Sequence, residues 1–179
     1  MADGSTVLLY AAYLDSLGEQ GLPLSHRGQL SPEAFLRERM SIWRGGSVWR
    51  GGGTRPCRDS LSYMWQTADH PDPEGGQLQD VTCFLCWLQS TNEYKNCTIA
   101  VFWDWASLYQ DKPKGSHAEE QTLSFKSGLQ SVDLRYCHTE VISLLNTLKP
   151  PGRQFGYDES GWTVSAIFAI SSVSQSVSQ

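Results

Sequence analysis

The feature that most constrains the fold is a mainly apolar segment at residues 98–103, which ends in the polar Asp104 and a further tryptophan, Trp105. Half-buried strands alternate apolar and polar residues, whereas a short continuous run of β-branched and aromatic residues is typical of a strand buried on both faces. The turn-forming sequence Asp-Lys-Pro follows at residues 111–113. We therefore predict a central strand with Asp104 at its carboxyl end.

The rest of the chain alternates predicted helices and strands. Helical spacing of apolar residues predicts helices at residues 6–17, 77–89, 119–135 and from residue 161 onward, and Ser-Pro-Glu at residues 31–33 predicts the start of a short one. Further strands are predicted at residues 61–65 and 139–145. Parallel strands need crossover connections, so this order predicts an α/β fold: a three-layer, mostly parallel sheet with helices on both faces.

Length and composition are typical of a globular chain with one main domain. The chain has 179 residues, of which 40% are hydrophobic and 18% charged. We divide it into N-terminal helices with a Gly/Arg/Trp-rich loop (residues 1–56), an α/β domain (57–170) and a serine-rich flexible tail (171–179).

Charge and targeting signals limit the classes of partner. A formal net charge of −5 argues against general binding to nucleic acid or to anionic membranes. The repeated Trp-Arg-Gly-Gly of residues 43–54 leaves single-stranded RNA binding as an alternative to a mobile loop, and we favour the loop.

The sequence has neither the basic start of a secretory signal nor an apolar run of bilayer length, and its five cysteines lack the spacing of a disulfide scaffold. We therefore predict a cytoplasmic protein without a membrane partner.

Two helical features carry specific expectations. Cys83 and Cys86 form a Cys-x-x-Cys pair within the apolar helix of residues 77–89 and have no second pair or nearby histidine. We interpret them as buried packing residues rather than as a zinc or redox site, and we predict no metal site. In the helix of residues 119–135, Leu123 belongs to the predicted apolar side, and Gly128 is the predicted weak point.

Polar and aromatic side chains follow each predicted strand, and the carboxyl ends of parallel strands meet at one edge of a sheet, where ligands bind. We therefore expect Thr67, Asp69 and His70 to lie near Asp104 and Trp105. Each has an alternative role. Asp104 is either a ligand contact or a residue that forms the next turn. We interpret the tryptophans at positions 103, 105 and 162 as packing residues in preference to a stacking platform for a ligand. We interpret the histidines at positions 70 and 138 as hydrogen-bonded or solvated groups in preference to general bases.

Three motifs resemble those of the fungal heterokaryon-incompatibility (HET) domain and occur in the same order. Residues 61–65 (Leu-Ser-Tyr-Met-Trp) resemble its Ser-Tyr-x-Trp strand, residues 102–110 its Ile-Asp-x-x-Cys-x-x-Gln strand end, and residues 160–163 (Ser-Gly-Trp-Thr) its closing Arg-x-Trp-Thr-x-x-Glu helix. Residues 102–110 also resemble a Phe-Trp-Asp-Trp-x-Ser-Leu-Tyr-Gln run of uncharacterised algal and protist proteins. The resemblance spans residues 61–169.

The HET domain resembles the TIR domain, a flavodoxin-like sheet that serves in death or immune signalling and in some members cleaves NAD. The resemblance implies a flavodoxin-like arrangement, a protein partner or self-association, and no resident cofactor. The glutamate that ends the family's closing motif corresponds to Ala166 here. Without that carboxylate no group is placed to stabilise the positive charge that develops as nicotinamide leaves. The resemblance therefore implies a non-catalytic signalling or interaction domain, a pseudoenzyme.

The alternative is an NAD glycohydrolase in which a displaced carboxylate replaces the family glutamate. Candidate catalytic residues are then Glu159, Asp158 and Asp104. A small nucleotide, with NAD as the substrate, would contact the ligand-binding candidates at the carboxyl edge of the sheet, which are Thr67, Asp69, Asp104, Trp105, Tyr157 and Trp162.

Overall fold

The structure is a computed structural model that describes residues 5–36, 56–130, 132, 136, 141–147, 149–151 and 154–159. Its strands are β1 (Leu9–Tyr10), β2 (Pro56–Tyr63), β3 (Thr98–Phe102) and β4 (Val141–Asn146). Its α-helices are α1 (Ala11–Glu19), α2 (Gly76–Ser90), α3 (Asp104–Ser107) and α4 (Glu119–Gln130), and short 3-10 helices lie at Arg27–Gln29, Pro32–Ala34 and Tyr157–Glu159. Within the described ranges, no helix combines the length and apolar character needed to cross a bilayer.

The described strands form one four-stranded, mostly parallel sheet in the order β1-β3-β2-β4. β2 pairs in parallel with both β3 and β4, and β1 pairs antiparallel with β3. The connection from β2 to β3 contains α2, and the connection from β3 to β4 contains α3 and α4. The prediction of an α/β fold with residues 98–102 on an interior strand is confirmed, and β2 and β3 end at the same edge.

β3 lies between two apolar clusters, which explains its uninterrupted apolar sequence. Ile99 and Val101 pack with residues of α1 and α2, whereas Ala100 and Phe102 pack with a second group that includes Leu8, Leu108, Val132 and Tyr136. Successive side chains of a strand point to opposite faces, so the two clusters cover the two faces of β3. These four β3 side chains are each at most 2% exposed, and burial of an Ile, Val or Phe side chain contributes about 1.5–3 kcal/mol.

The N-terminal segment differs from the prediction of one helix over residues 6–17. Leu9–Tyr10 pair with Val101 and Ala100 as β1, and α1 begins only at Ala11. Leu8 packs in the cluster on one face of β3 and Leu9 in the cluster on the other. Such a short apolar run fits either a strand or a helix, and pairing with the edge of β3 decides the outcome.

The predicted helix at Ser31-Pro32 is a single 3-10 turn, Pro32–Ala34. Ser31 does not cap it, because its hydroxyl donates to Glu33 Oε2 at 3.3 Å. The chain becomes extended again at Phe35, which forms an antiparallel bridge with Leu9. The segment therefore ends as an addition to the sheet edge rather than as a longer helix.

The outer face of α2 contradicts the expectation for the two cysteines. The helix buries the stripe Leu78, Val81, Leu85 and Leu88, with spacing of three and four residues. Cys83 and Cys86 lie outside that stripe and are exposed free thiols. Their interpretation as buried packing residues is wrong.

The helix predicted at residues 119–135 is present as α4, and the described residues 132 and 136 are also helical. Leu123 is 60% exposed and does not belong to the packed side. Gly128 is buried where α4 approaches the segment before β1. Added to Gly128, a Cβ atom would lie 2.6 Å from Leu108 Cδ2 and 3.3 Å from the Ser5 carbonyl oxygen. The predicted weak point of the helix is therefore a point of close packing.

Several predictions lie outside the described residues. They concern the loop of residues 43–54, the helix after residue 161 with Trp162 and Ala166, the serine-rich tail and His138.

Replacing Gly128 with alanine should destabilise the fold. Alanine gains about 1 kcal/mol of helix propensity over glycine, but overpacking a buried site costs about 1–3 kcal/mol, so a net loss of about 1 kcal/mol is expected. Urea unfolding of Gly128→Ala and of the matched control Gly76→Ala measures the difference. Gly76 is also in a helix, with nothing within 4 Å of an added Cβ atom. A Gly128→Ala variant as stable as Gly76→Ala would contradict the close packing.

Candidate functional site

Asp104 is the first residue of α3, immediately beyond the end of β3, and it is 8% exposed. The Tyr63 hydroxyl, at the end of β2, donates to Asp104 Oδ1. The backbone N–H of Trp105 donates to the same oxygen at 2.6 Å, and the Trp65 side chain donates to the carboxyl group. Three donors of the chain itself therefore surround this group, and they connect the ends of the two central strands.

The protonation of this pair follows from its burial. Burial raises the pKa of Asp104, although the hydrogen bonds from Tyr63, Trp105 and Trp65 oppose the shift. Burial, reinforced by the nearby Asp104 charge, raises the pKa of Tyr63 well above its usual value. Tyr63 therefore keeps its proton and remains a donor to Asp104 at neutral pH.

The residues after Asp104 fold into a compact turn that explains much of the 102–110 motif. The Ser107 hydroxyl accepts a hydrogen bond from the Trp103 backbone N–H at 2.9 Å. The Gln110 side-chain amide donates to the Asp104 carbonyl at 3.1 Å. Both side chains hold backbone groups, so their spacing is required by the turn itself. Ser107 was not singled out in the sequence, although its position four residues after Trp103 fits such a closure.

Trp105 is the packing centre of this edge. It is 2% exposed, and its indole N–H donates to the Leu24 carbonyl at 2.8 Å. Three rings meet it edge-on, with centroid distances of 4.9 Å for His70, 5.4 Å for Trp65 and 5.6 Å for His26. The interpretation of Trp105 as a packing residue is confirmed, and the same holds for Trp103, which is fully buried.

The two histidines beside Trp105 favour their neutral forms. His70 Nδ1 accepts the Asp72 backbone N–H at 3.0 Å, and His26 Nδ1 accepts the Gly28 N–H at 3.2 Å. Burial lowers the pKa of both, and the positive charges of His117 and His70 lower that of His26 further. The pKa of His70 falls despite its hydrogen bond to the Leu24 carbonyl and the charge of Asp72. Protonation of Nδ1 would direct a new N–H of each imidazole toward the backbone N–H whose hydrogen bond it now accepts. His70 is thus a satisfied group, as interpreted from the sequence.

Thr67 and Asp69 lie in the loop after β2, close in sequence to His70, but both are engaged within the chain. The Thr67 hydroxyl donates to the His70 carbonyl at 2.8 Å and accepts the His70 N–H at 2.9 Å, which closes the turn. Asp69 pairs with Lys112 at 3.1 Å, and its side chain is 95% exposed. Lys112 also donates to the Ala68 carbonyl at 3.2 Å, so it connects the loops that follow β2 and β3.

Asp72 is a structural residue that the sequence reasoning missed. It is 1% exposed, and its Oδ2 accepts the Leu78 backbone N–H at 2.8 Å near the start of α2. Its Oδ1 accepts the Gln66 side-chain amide at 3.0 Å. A carboxylate at a helix N-terminus satisfies otherwise unpaired N–H groups and the helix dipole. The run of turn residues around Asp72 in the sequence concealed this cap.

Tyr157 connects the last described segment to the central strands. Its hydroxyl donates to the Ser62 hydroxyl at 2.6 Å, next to Tyr63, and its side chain is buried. Asp158 and Glu159 follow it in a 3-10 turn and are exposed. Glu159 Oε2 accepts the Gly156 backbone N–H at 2.7 Å. The turn therefore brings two carboxylates toward β2, with Glu159 engaged in its own turn.

Replacing Asp104 with asparagine should destabilise the protein. The asparagine amide presents an NH₂ group to a site that holds only donors, and one buried group is left unsatisfied. The expected loss is about 2–3 kcal/mol. Urea unfolding measures it against the control Asp69→Asn, which removes an exposed ion pair and should leave the free energy of unfolding nearly unchanged. Equal stability of the two variants would contradict a structural role for Asp104.

No protein-family model, curated protein or solved structure matches the chain. Its relationship to other proteins therefore rests on the motifs and their order in the sequence. The geometry at the carboxyl edge bears on function independently of any relative.

Proposed function

We propose that the chain is a HET/TIR-like domain with a three-layer, flavodoxin-like arrangement, and that it acts in the cytoplasm as a non-catalytic signalling or protein-interaction module. Two parallel strands support the family part of the proposal. The Ser-Tyr-x-Trp-like segment supplies Tyr63 at the end of β2, and the second motif supplies Asp104 after β3. The two motif residues are hydrogen-bonded to each other.

The observation that carries the non-catalytic part is the environment of Asp104. A carboxylate that stabilises a developing positive charge must direct an oxygen toward the substrate. The Asp104 carboxyl group is instead buried and receives hydrogen bonds from Tyr63, Trp65 and Trp105. Together with alanine at position 166, where the family has glutamate, this favours a domain that has kept the family's structure without its catalytic acid.

Exposed aromatic surface supports the interaction part. Trp87 on α2 is 61% exposed, and its ring lies 5.7 Å from that of the half-buried Phe84. Tryptophan is enriched at protein interfaces because one side chain buries a large area at low entropic cost. We infer that the outer face of α2 contacts a protein partner or a second copy of the chain.

One observation favours an NAD glycohydrolase as the second candidate. The bond from Tyr157 to Ser62 draws the exposed Asp158 and Glu159 toward the end of β2. A carboxylate brought to that edge from a loop could replace the missing glutamate if it turned toward a bound nucleotide.

A nicotinamide-release assay with millimolar NAD distinguishes the two candidates. The non-catalytic domain should release no nicotinamide above a heat-denatured sample, and NAD should not raise its melting temperature. A ligand at 100 times its dissociation constant would add about 2.7 kcal/mol of stability. Hydrolysis that is lost in Glu159→Gln or Asp158→Asn but kept in Glu93→Gln, a control at an exposed position before β3, would overturn the proposal and establish the enzyme.

Self-association through α2 can be measured by sedimentation velocity over a range of protein concentrations. We expect concentration-dependent association that Trp87→Arg weakens, because a charge replaces the apolar centre of the contact. Gln154→Arg adds the same charge at an exposed position outside α2 and should associate like the parent chain. A chain that stays monomeric, or equal behaviour of the two variants, would exclude self-association through Trp87.

A further inference from the structure

The exposed thiols of Cys83 and Cys86 lie on the α2 face that carries Trp87, but the contact proposed there is aromatic and does not need thiol chemistry. Both lie on the outer face of α2, three residues apart, and therefore on the same side of the helix one turn from each other. Apolar packing does not explain cysteine at two exposed positions. Within the described part of the chain, the pair is a motif whose chemistry the fold leaves accessible.

The surroundings of the pair are acidic on one side. The Cys86 thiol lies 4.0 Å from Asp15 Oδ1 on α1. Glu19, a second acidic residue, is on the same helix as Asp15. A bound cation would be attracted by the same charges and would stabilise the thiolate forms. Trp87 follows Cys86 and lies on the same exposed face of the helix.

The distance between the two side chains distinguishes disulfide formation from metal binding. Side chains three residues apart on a helix have Cβ atoms about 5–6 Å apart, whereas a disulfide needs about 3.5–4.5 Å. An internal disulfide would therefore distort α2. A metal ion with bonds to sulfur of roughly 2.3 Å each bridges two sulfur atoms over a longer distance and leaves the helix intact.

The number of ligands then selects the class of ion. Among the described residues, no group of three or more His, Cys, Asp or Glu side chains could hold a metal ion. A closed tetrahedral zinc site needs four such ligands. Two thiolates alone suit a soft cation that accepts two-coordinate binding, and soft thiolate ligands favour Cu(I) among the biological metals.

We propose that Cys83 and Cys86 form a two-thiolate binding site for a soft monovalent cation, Cu(I), on the surface of α2. Binding forms two sulfur–copper bonds and releases the two thiol protons to solvent, and no electron is transferred. The site shares the outer face of α2 with the proposed interaction surface, but two thiolates of one chain bind the ion without a partner, so the site does not depend on the HET/TIR-like function.

The test is an anaerobic titration of the fully reduced chain with Cu(I) in competition with a chromogenic Cu(I) chelator. We expect one tight equivalent per chain. Loss of a direct ligand should exceed the roughly 10–100-fold effect of losing a supporting residue, so Cys83→Ser and Cys86→Ser should each weaken binding by about 100-fold or more. Cys97→Ser removes a thiol outside α2, one that contacts the Glu93 carbonyl, and should bind like the parent chain.

Three results would overturn the proposal. The first is the absence of tight Cu(I) binding, and the second is equal Cu(I) affinity of the Cys83→Ser and Cys97→Ser variants. The third is a dimer in size-exclusion chromatography that holds one copper ion for its two chains. Far-ultraviolet circular dichroism of each variant checks that α2 remains helical, and little change is expected at exposed positions. Ready formation of a Cys83–Cys86 disulfide under mild oxidation, detected by thiol alkylation and mass spectrometry, would also contradict the geometric argument.

Discussion

The hydrogen bond between the Tyr63 hydroxyl and the Asp104 carboxyl group connects the ends of the two central strands. Asp104 also accepts the N–H of Trp105, and this fixes the first turn of α3 and directs the Trp105 indole toward the Leu24 carbonyl. The rings of His26, His70 and Trp65 then pack around that indole. One buried carboxyl group therefore orders a strand end, a helix start and the loop that follows β2. Its burial is tolerated because Tyr63 and Trp105 donate hydrogen bonds to it.

These contacts within the chain change the interpretation of the motif at residues 102–110. An aspartate between tryptophans at the end of a buried strand resembles part of a binding site, yet the side chains of Asp104, Trp105, Ser107 and Gln110 all form hydrogen bonds within the chain. Ser107 and Gln110 hold backbone groups, Trp103 and Trp105 fill the core, and Asp104 receives hydrogen bonds. Residues that maintain a fold and residues that act on a ligand leave the same kind of pattern in a sequence. The two kinds of residue differ in whether their side chains contact other parts of the chain or a ligand.

Much of the fold could be predicted from local patterns, because β3 is a continuous apolar run and α2 has apolar residues at helical spacing. β1 could not, since a two-residue strand has no period of its own and forms only against Val101 and Ala100. The exposure of Cys83 could have been predicted, because the buried stripe of α2 includes Val81 and Leu85 and position 83 lies outside it. At the site, the positions of Asp104 and Trp105 followed from the strand. The contact of His26 with Trp105 joins distant segments, and nothing local indicates it.

The pairing of β1 with β3 has a consequence for how the chain folds during its synthesis. Leu9 lies opposite Val101, so about 90 residues must leave the ribosome between the two partners of this ladder. Until then Leu9 can form its bridge with Phe35 but not its ladder with β3, and neither Leu8 nor Leu9 has the strand whose two apolar clusters bury them. Contacts of such large sequence separation slow folding, since the loop must close before any pairing stabilises it. The edge of the sheet that β1 forms is therefore completed late, after the strand with which it pairs has been made.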